Sequence, residues 1–361
     1  MPRARWTALV AVAALAASVG GVAGCGSSVK HVQVRKLAFV APFKDNEPDW
    51  TLQAREVLDE FPQRLGVRVD TVDASQTSDI RGALVQVSHE GNQLVMADNG
   101  TYADAAEAVA ADTKVPELVW GERPTNKATQ GLVGAITVKD KESGYALGVL
   151  AATSAITRRL GIVVGADGSD WELATWNRMA GGFVAGAHSV HREEHVEYVQ
   201  VGSHGAATVR AMHDAAEREL QHGAQMIVIL GGASMVGAQR AVEARGGSGE
   251  TLYLGAVSDK GSTRHLEEGG VPFIVGAVVW NLRPVFRQAL VDLRAGTFGK
   301  RPSVLSFANG GLAVYTTGRA PSDAAEAAIA AGRPVARGAV HLPVTPTREA
   351  VEALVRERAA G

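Results

Sequence analysis

The chain has 361 residues, 46% of them hydrophobic and 20% charged, so it can bury folded cores throughout and exceeds one typical domain. Its 36 Lys and Arg against 38 Asp and Glu leave a formal net charge of −2. No basic field exists to hold a phosphate backbone, which excludes nucleic acid as a partner. The single cysteine excludes an internal disulfide and a thiolate metal site.

In chain order, Arg3 and Arg5 precede an apolar run from Trp6 to Val22, which closes on Val22-Ala23-Gly24-Cys25-Gly26-Ser27-Ser28. A charged start, an apolar middle and small residues before the cut describe a secretory signal. Cys25 sits where a bacterial lipoprotein signal places the residue that is lipidated and becomes the mature N-terminus. Two competing readings are an ordinary secretory signal with an incidental cysteine and an uncleaved anchor, whose apolar run is marginal against the ~20 residues of a span. Under the lipoprotein reading residues 1–24 are a signal peptide and 25–36 are the lipidated Cys25 and a spacer. Two acyl chains suffice for stable anchoring, so the remainder is expected at the extracytoplasmic face of the cell membrane.

From Leu37 the chain alternates short apolar runs with segments of helical spacing. Strands are expected at 37–40, 67–72, 93–97, 116–120, 132–136, 160–164, 196–201, 226–230, 251–255 and 273–279. Helices are expected between them, at 50–61, 80–87, 102–111, 143–154, 176–187, 206–221, 235–244 and 284–295. Strands alternating with helices of this length imply βαβ units, parallel sheets and helices on both faces, an α/β fold. The run Met226 to Leu230 followed by Gly231-Gly232 reads as a strand buried on both faces. It ends in a loop at the carboxyl edge, where open α/β sheets bind ligands. The tail 319–361 is Ala-rich and interrupted by Pro321, Pro334, Pro343 and Pro346, with a helical stretch from Thr347.

No catalytic pattern emerges. Gly232-Ala-Ser234-Met-Val-Gly237 lacks the spacing of a nucleophile elbow, and Ser203-His204 are adjacent in a loop. Gly165-Ala-Asp-Gly168 lacks the second half of a nucleotide fingerprint and the P-loop lysine. His188, His191 and His195 lie three and four residues apart. They could share a helical face toward a metal, but their Arg and Glu neighbours read as solvated surface. Trp171, Trp176, Trp280, Asn281 and Asp259 fall at strand ends or in loops, as core residues or as ligand platforms.

An ordered series of segments resembles the basic membrane protein (BMP) family, the nucleoside-type solute-binding lipoproteins of ABC importers. It comprises Val138-Lys-Asp-Lys-Glu-Ser-Gly144-Tyr145-Ala-Leu-Gly148, Gly182-Phe183-Val-Ala-Gly186, Tyr198-Val-Gln-Val-Gly202, Gly223-Ala224, Gly231-Gly232, Leu254-Gly255-Ala-Val-Ser258-Asp259 and Gly310-Gly311-Leu312. The resemblance spans about 37 to 315. It implies a type I periplasmic-binding-protein fold, two doubly wound parallel-sheet lobes joined by three crossovers. Lobe 1 is expected over about 37–156 plus 275–296, and lobe 2 over about 160–258 plus 300–318. Hinges are expected near 155–159, near 259–281 and shortly after Gly296.

The same resemblance implies a ligand site of Asn46, Trp50, Tyr102, Trp176, Met179, Gly232, Asp259 and Trp280. Asn46 and Trp50 match the first cleft loop of the family and Tyr102 an aromatic of the second. Met179 aligns roughly with the base-stacking phenylalanine. An Asp-x-Asp of nucleoside-binding members is here Val257-Ser258-Asp259, and Trp280 stands where those members have a sugar-contacting lysine. Such a pocket is more apolar and more aromatic, suited to a flat ring stacked on Trp280, Trp176 or Tyr102 and oriented by Asn46 and Asp259. The implied function is the solute-capturing, lipid-anchored subunit of an ABC importer, taking a nucleoside-like or other aromatic solute by lobe closure and handing it to a permease. No enzymatic activity, cofactor or metal is implied. The alternative is a membrane-anchored sensor or surface interaction lipoprotein with the same fold.

Overall fold

The structure is a computed structural model that describes residues 32–42, 49–75, 77–98, 100–121, 129–165, 170–202, 208–232, 234–245, 252–257 and 274–359. At 49, 50, 52 and 252–257 it describes the backbone alone. The signal peptide, Cys25, Asn46 and Asp259 lie outside the described residues.

The first half runs β1 (Lys36–Ala41), α1 (Asp49–Asp59), α2 (Phe61–Leu65), β2 (Arg68–Asp73), α3 (Ile80–His89), β3 (Val95–Ala97), a 3₁₀ turn (Gly100–Tyr102), α4 (Ala103–Thr113), β4 (Glu117–Trp120) and β5 (Val133–Val138). The helix ends follow local chemistry. The carboxylate of Asp79 accepts from Gly82 N–H at 2.8 Å and caps α3, satisfying a donor that the first turn leaves unpaired. The second half runs α5 (Asp140–Ser154), β6 (Arg159–Gly165), α6 (Asp170–Val190), β7 (His195–Val201), α7 (Val209–Gln221), β8 (Met226–Leu230), α8 (Met235–Arg245), β9 (Leu252–Val257), β10 (Ile274–Trp280), α9 (Arg283–Ala295), β11 (Ser303–Leu305), β12 (Leu312–Thr316), α10 (Ser322–Ala336) and α11 (Arg348–Ala359).

The strands form two six-stranded sheets, ordered β2-β1-β3-β4-β5-β11 and β7-β6-β8-β9-β10-β12. Every pairing is parallel except β10 with β12. Each sheet reverses its strand order beside its first strand, which places a ligand crevice at its carboxyl edge. Central strands such as β8 are buried at every residue, as a sheet covered by helices on both faces requires.

The expected division into lobes differs from the observed one at all three crossovers. Helix α5 packs on β9, β10 and α6, so the chain has already crossed at Lys139, before α5 rather than at 155–159. Strand β10 lies in the second sheet, not in lobe 1, and the chain returns at 281–282 to place α9 against β11. Strand β11 pairs with β5 in the first sheet, so the third crossing follows Leu305 rather than Gly296. The three crossings are hydrogen-bonded to one another. Lys139 N–H donates to Leu305 O at 2.8 Å and Asn281 N–H donates to Gly311 O at 2.9 Å. The Asn281 side-chain amide adds a bond to Gly310 O at 3.1 Å. Local periodicity finds a strand but does not name its partner, and the partner decides the lobe.

Helices α5 and α6 meet backbone to backbone. A Cβ built on Gly144 would strike the Met179 carbonyl oxygen, one on Gly148 that of Phe183, and one on Gly186 that of Tyr145. The glycines stand four apart on each helix, so one small-residue stripe faces the other. Two segments that carried the family resemblance therefore owe their glycines to this contact. The tail is folded onto the second lobe: α10 packs on α5, α11 on α6 and β7, and Tyr145 and Val149 share an apolar cluster with Val335 and Leu342. Between those helices the buried Thr345 hydroxyl donates to Asn177 O at 2.9 Å. Pro334 sits in the last turn of α10, so the helix forms despite it.

Candidate functional site

Four indoles converge where the carboxyl edges of the two sheets approach the crossovers. Trp120 is the last residue of β4 in the first sheet, and Trp280 is the last of β10 in the second. Trp171 and Trp176 come from the first turns of α6, which begins six residues earlier than the spacing of apolar residues predicts. Ring centroids lie 5.8 Å apart for Trp120 and Trp280, 6.4 Å for Trp120 and Trp171, and 6.1 Å for Trp176 and Trp280. The last pair is stacked, with 15° between planes, and the other two are tilted by 34° and 44°. All three separations fall in the range of favourable aromatic pairs.

The indoles surround a cavity of about 20 Å³, lined also by Gly100, Glu172 and Thr175. Residues 171, 172, 175 and 176 present one helical face, because positions four apart superpose on a helix. Trp120, Trp176 and Trp280 are buried, whereas Trp171 is half-buried at the rim. Beneath the cluster the indole N–H of Trp120 donates to a carboxylate oxygen of the buried Asp98 at 2.6 Å. Asp98 and Asp73 also act on Tyr102, whose hydroxyl is pushed above its ordinary range, chiefly by burial and then by these two carboxylates. The guanidinium of Arg178 donates to Thr175 Oγ1 at 3.2 Å and is paired with Asp140 at 2.5 Å.

Of the residues expected to bind ligand, the structure brings Trp176 and Trp280 together and adds Trp171, singled out in the sequence as a loop aromatic. Tyr102 is packed in the core of the first lobe among Ala38, Val40 and Val119; it is the neighbouring Gly100 that lines the cavity. Met179, on α6, is fully buried in the core, and Gly232 is half-buried beyond the end of β8. Neither lines the cavity. For Trp50 the structure describes only the backbone, within α1. Sequence reading passed over Trp120 because it completes an apolar run and reads as core. The available signal was its position as the last strand residue, the same position that marked Trp280. Asp98 and Glu172 carried no motif at all.

The three histidines do not converge. His188 contacts the Arg192 carbonyl at the end of α6, while His195 opens β7 and pairs with Glu197. Among the described residues no group of three His, Cys, Asp or Glu is placed to hold a metal. None of the described helices is long and apolar enough to cross a membrane.

Two doubly wound lobes of this strand order, joined by three crossovers with the candidate site between them, define the type I periplasmic-binding-protein fold. The chain belongs to the Bmp family, described as ABC transporter substrate-binding protein PnrA-like, whose sequence model matches residues 34–289. Among solved structures, an ABC transporter solute-binding protein from Conexibacter woesei is similar at 22% identity and a TM-score of 0.66, covering 85% of this chain and 98% of that one. A solute-binding protein from Aeropyrum pernix gives 15% and 0.67, covering 91% and 98%. A protein from Bacillus halodurans described as a transcriptional activator of the comK gene gives 17% and 0.65, covering 85% and 99%. No curated protein sequence matches the chain.

Proposed function

We propose that the protein is the solute-capturing subunit of an ABC importer, held at the extracytoplasmic face of the membrane through a lipidated Cys25. It takes a small nucleoside-like or other aromatic solute between its lobes and passes it to a permease, with no chemistry of its own. The observation that carries this reading is the four-indole cluster, drawn from both sheets and from α6, around a cavity at the crossovers. Lobe closure about the crossovers at Lys139, Asn281 and 306–311 would move Trp120 against Trp171 and Trp176, so binding and closure share the same side chains.

The test is titration of the full chain with nucleosides, nucleobases, sugars and amino acids, read by tryptophan fluorescence and thermal midpoint. Four of the six tryptophans line the cavity, so occupancy must alter emission. Ligand at about 100 times its dissociation constant adds about 2.7 kcal/mol to the folded state. Response to an aromatic solute supports the reading, and response confined to sugars or amino acids refutes the solute class. Replacing Cys25 with Ser should release the protein from the membrane fraction, and retention there refutes the anchor. The sensor reading keeps the fold and dispenses with the permease. The fold is shared with a protein described as a transcriptional activator, so the presence of a permease and ATPase encoded beside the chain separates the two.

A further inference from the structure

We infer that the solute held by the four indoles is an organic cation, carrying its charge on an N-alkylated nitrogen. The inference rests on the reading of this cavity as the solute site and names the chemistry it selects.

A neutral flat ring is best held in a slot between two parallel faces. Of the three indole pairs in contact among the described residues, one is near parallel, and it is already in stacking contact, Trp176 on Trp280 at 6.1 Å and 15°. The other faces are tilted by 34° and 44° around a small space. Tilted indoles on several sides make a box, which suits a compact, rounded headgroup such as a methylated ammonium, and each indole face is the negative pole of its ring quadrupole. A cation inside about 6 Å of a ring centroid is attracted to it, and walls this close together place one group in reach of several rings at once.

Among the described residues, carboxylates near the cavity supply charge of the same sign. The charged side chain among the described lining residues is Glu172. Asp98, buried below, accepts the Trp120 N–H and so withdraws the positive edge of that indole from the cavity while feeding its face. Asp73 ends β2 on the same carboxyl edge. Glu172 also lies in the first turn of α6, where an acid complements the helix dipole. That role accounts for a carboxylate there but not for four indoles beside it. Arg178, the guanidinium behind Thr175, is paired with Asp140. Three walls are buried and Trp171 is half-buried, which makes Trp171 the wall that yields to admit a headgroup.

The experiment uses the full chain and two pairs of probes matched in shape and differing in charge: choline with 3,3-dimethylbutanol, and N1-methylnicotinamide with nicotinamide. Adenosine serves as a neutral aromatic reference. Each is titrated by calorimetry and tryptophan fluorescence. The cation of at least one pair is expected to bind about tenfold tighter or more than its neutral partner. Glu172→Gln should weaken the cation severalfold and leave the neutral probe unchanged. Trp171→Leu should weaken the cation about tenfold while Trp171→Phe retains most of the affinity, and both variants keep a fold whose buried walls are untouched. Equal or tighter binding of the neutral partners, or of adenosine alone, overturns the cation and leaves the solute site standing. Cation binding indifferent to Trp171→Leu places it elsewhere and overturns the inference. Silence from all five probes overturns the inference, and the site reading falls with it only when the nucleoside, nucleobase, sugar and amino-acid panel is silent as well.

Discussion

Replacing Gly148 with Ala adds one methyl group where α5 meets α6. The new Cβ would stand on the carbonyl oxygen and against the backbone around Phe183 and Ala187, not against a side chain that can rotate away. Relief therefore requires the helices to separate, loosening a seam in which Leu147, Leu150, Ala151, Met179 and Phe183 are all buried. Overpacking of a rigid core costs about 1–3 kcal/mol and sometimes more, and contact with backbone belongs at the upper end. Against it stands the better helix propensity of Ala, about 1 kcal/mol. The net loss is about 2 kcal/mol, or roughly 4–8 °C in the melting midpoint at about 2–4 °C per kcal/mol for a domain of this size. Gly186→Ala strikes the Tyr145 carbonyl in the same seam. The double variant should lose less than the sum of the singles, because helices already parted meet the second methyl more cheaply. Chemical denaturation of the two single variants and the double one measures this directly. A Gly148→Ala protein more stable than the parent by the propensity gain alone would refute the backbone contact.

Three further outcomes follow from individual contacts. Asp140→Ala removes the carboxylate that pairs with Arg178 at 2.5 Å and accepts Lys141 N–H. It leaves a guanidinium about one-fifth exposed, so the 3–5 kcal/mol of a fully buried broken pair falls to about 2–3 kcal/mol, with Arg178→Leu recovering part of it; an unchanged urea midpoint would exclude the pair as a structural link between α5 and α6. Glu219 on α7 is nearly buried against Gly161, and burial, with the charge of Glu197 adding, lifts its carboxyl to about 7, against the opposing His222 and Arg218. An acid raised on folding binds its proton more tightly in the native state, so stability falls as pH rises from about 4.5 to about 7 and stays lower above it. Glu219→Gln should therefore gain about 1–3 kcal/mol on the parent between pH 4.5 and pH 8, and a difference that does not change with pH counts against this burial. Stacked and tilted indoles at 5.8 to 6.4 Å should couple their transitions into a circular-dichroism couplet, which Trp280→Phe should weaken to the share of the Trp120–Trp171 pair, because Trp280 contacts both Trp120 and Trp176; a couplet of unchanged amplitude would refute the two contacts of Trp280.

Most of the elements were legible in the sequence because their signals are local. Ten strand expectations and eight helices from Leu37 to Ala295 each find a counterpart, most within a few residues and α6 starting six residues early, since alternation and three-to-four spacing report burial on one segment at a time. The short β11 and β12 were missed: three and five residues with partly exposed patterns offer no period to read. Helix α10 was hidden by its prolines, although Pro321 only caps its start and Pro334 falls in its last turn. In the candidate site, Trp176 and Trp280 were legible as aromatics at the ends of elements, while Trp120 read as core and Asp98 had no signal, because its hydrogen bond to the indole reaches a residue 22 positions away.

The sequence by itself determined that the chain is α/β, that it is built of strand–helix units, that its Gly-rich helices resemble those of the BMP family, and that indoles stand at strand ends. Each of these depends on residues adjacent in the chain. Only the tertiary structure decided that α5 and β10 serve the second lobe and β11 the first, that the glycines of α5 and α6 face one another, and that the tail closes over both helices. It alone gathered four tryptophans from β4, β10 and α6 around one cavity. Those outcomes depend on which surfaces bury each other, and the free energy of such burial is shared between partners far apart in the chain, 160 residues for Trp120 and Trp280, where no local pattern carries it.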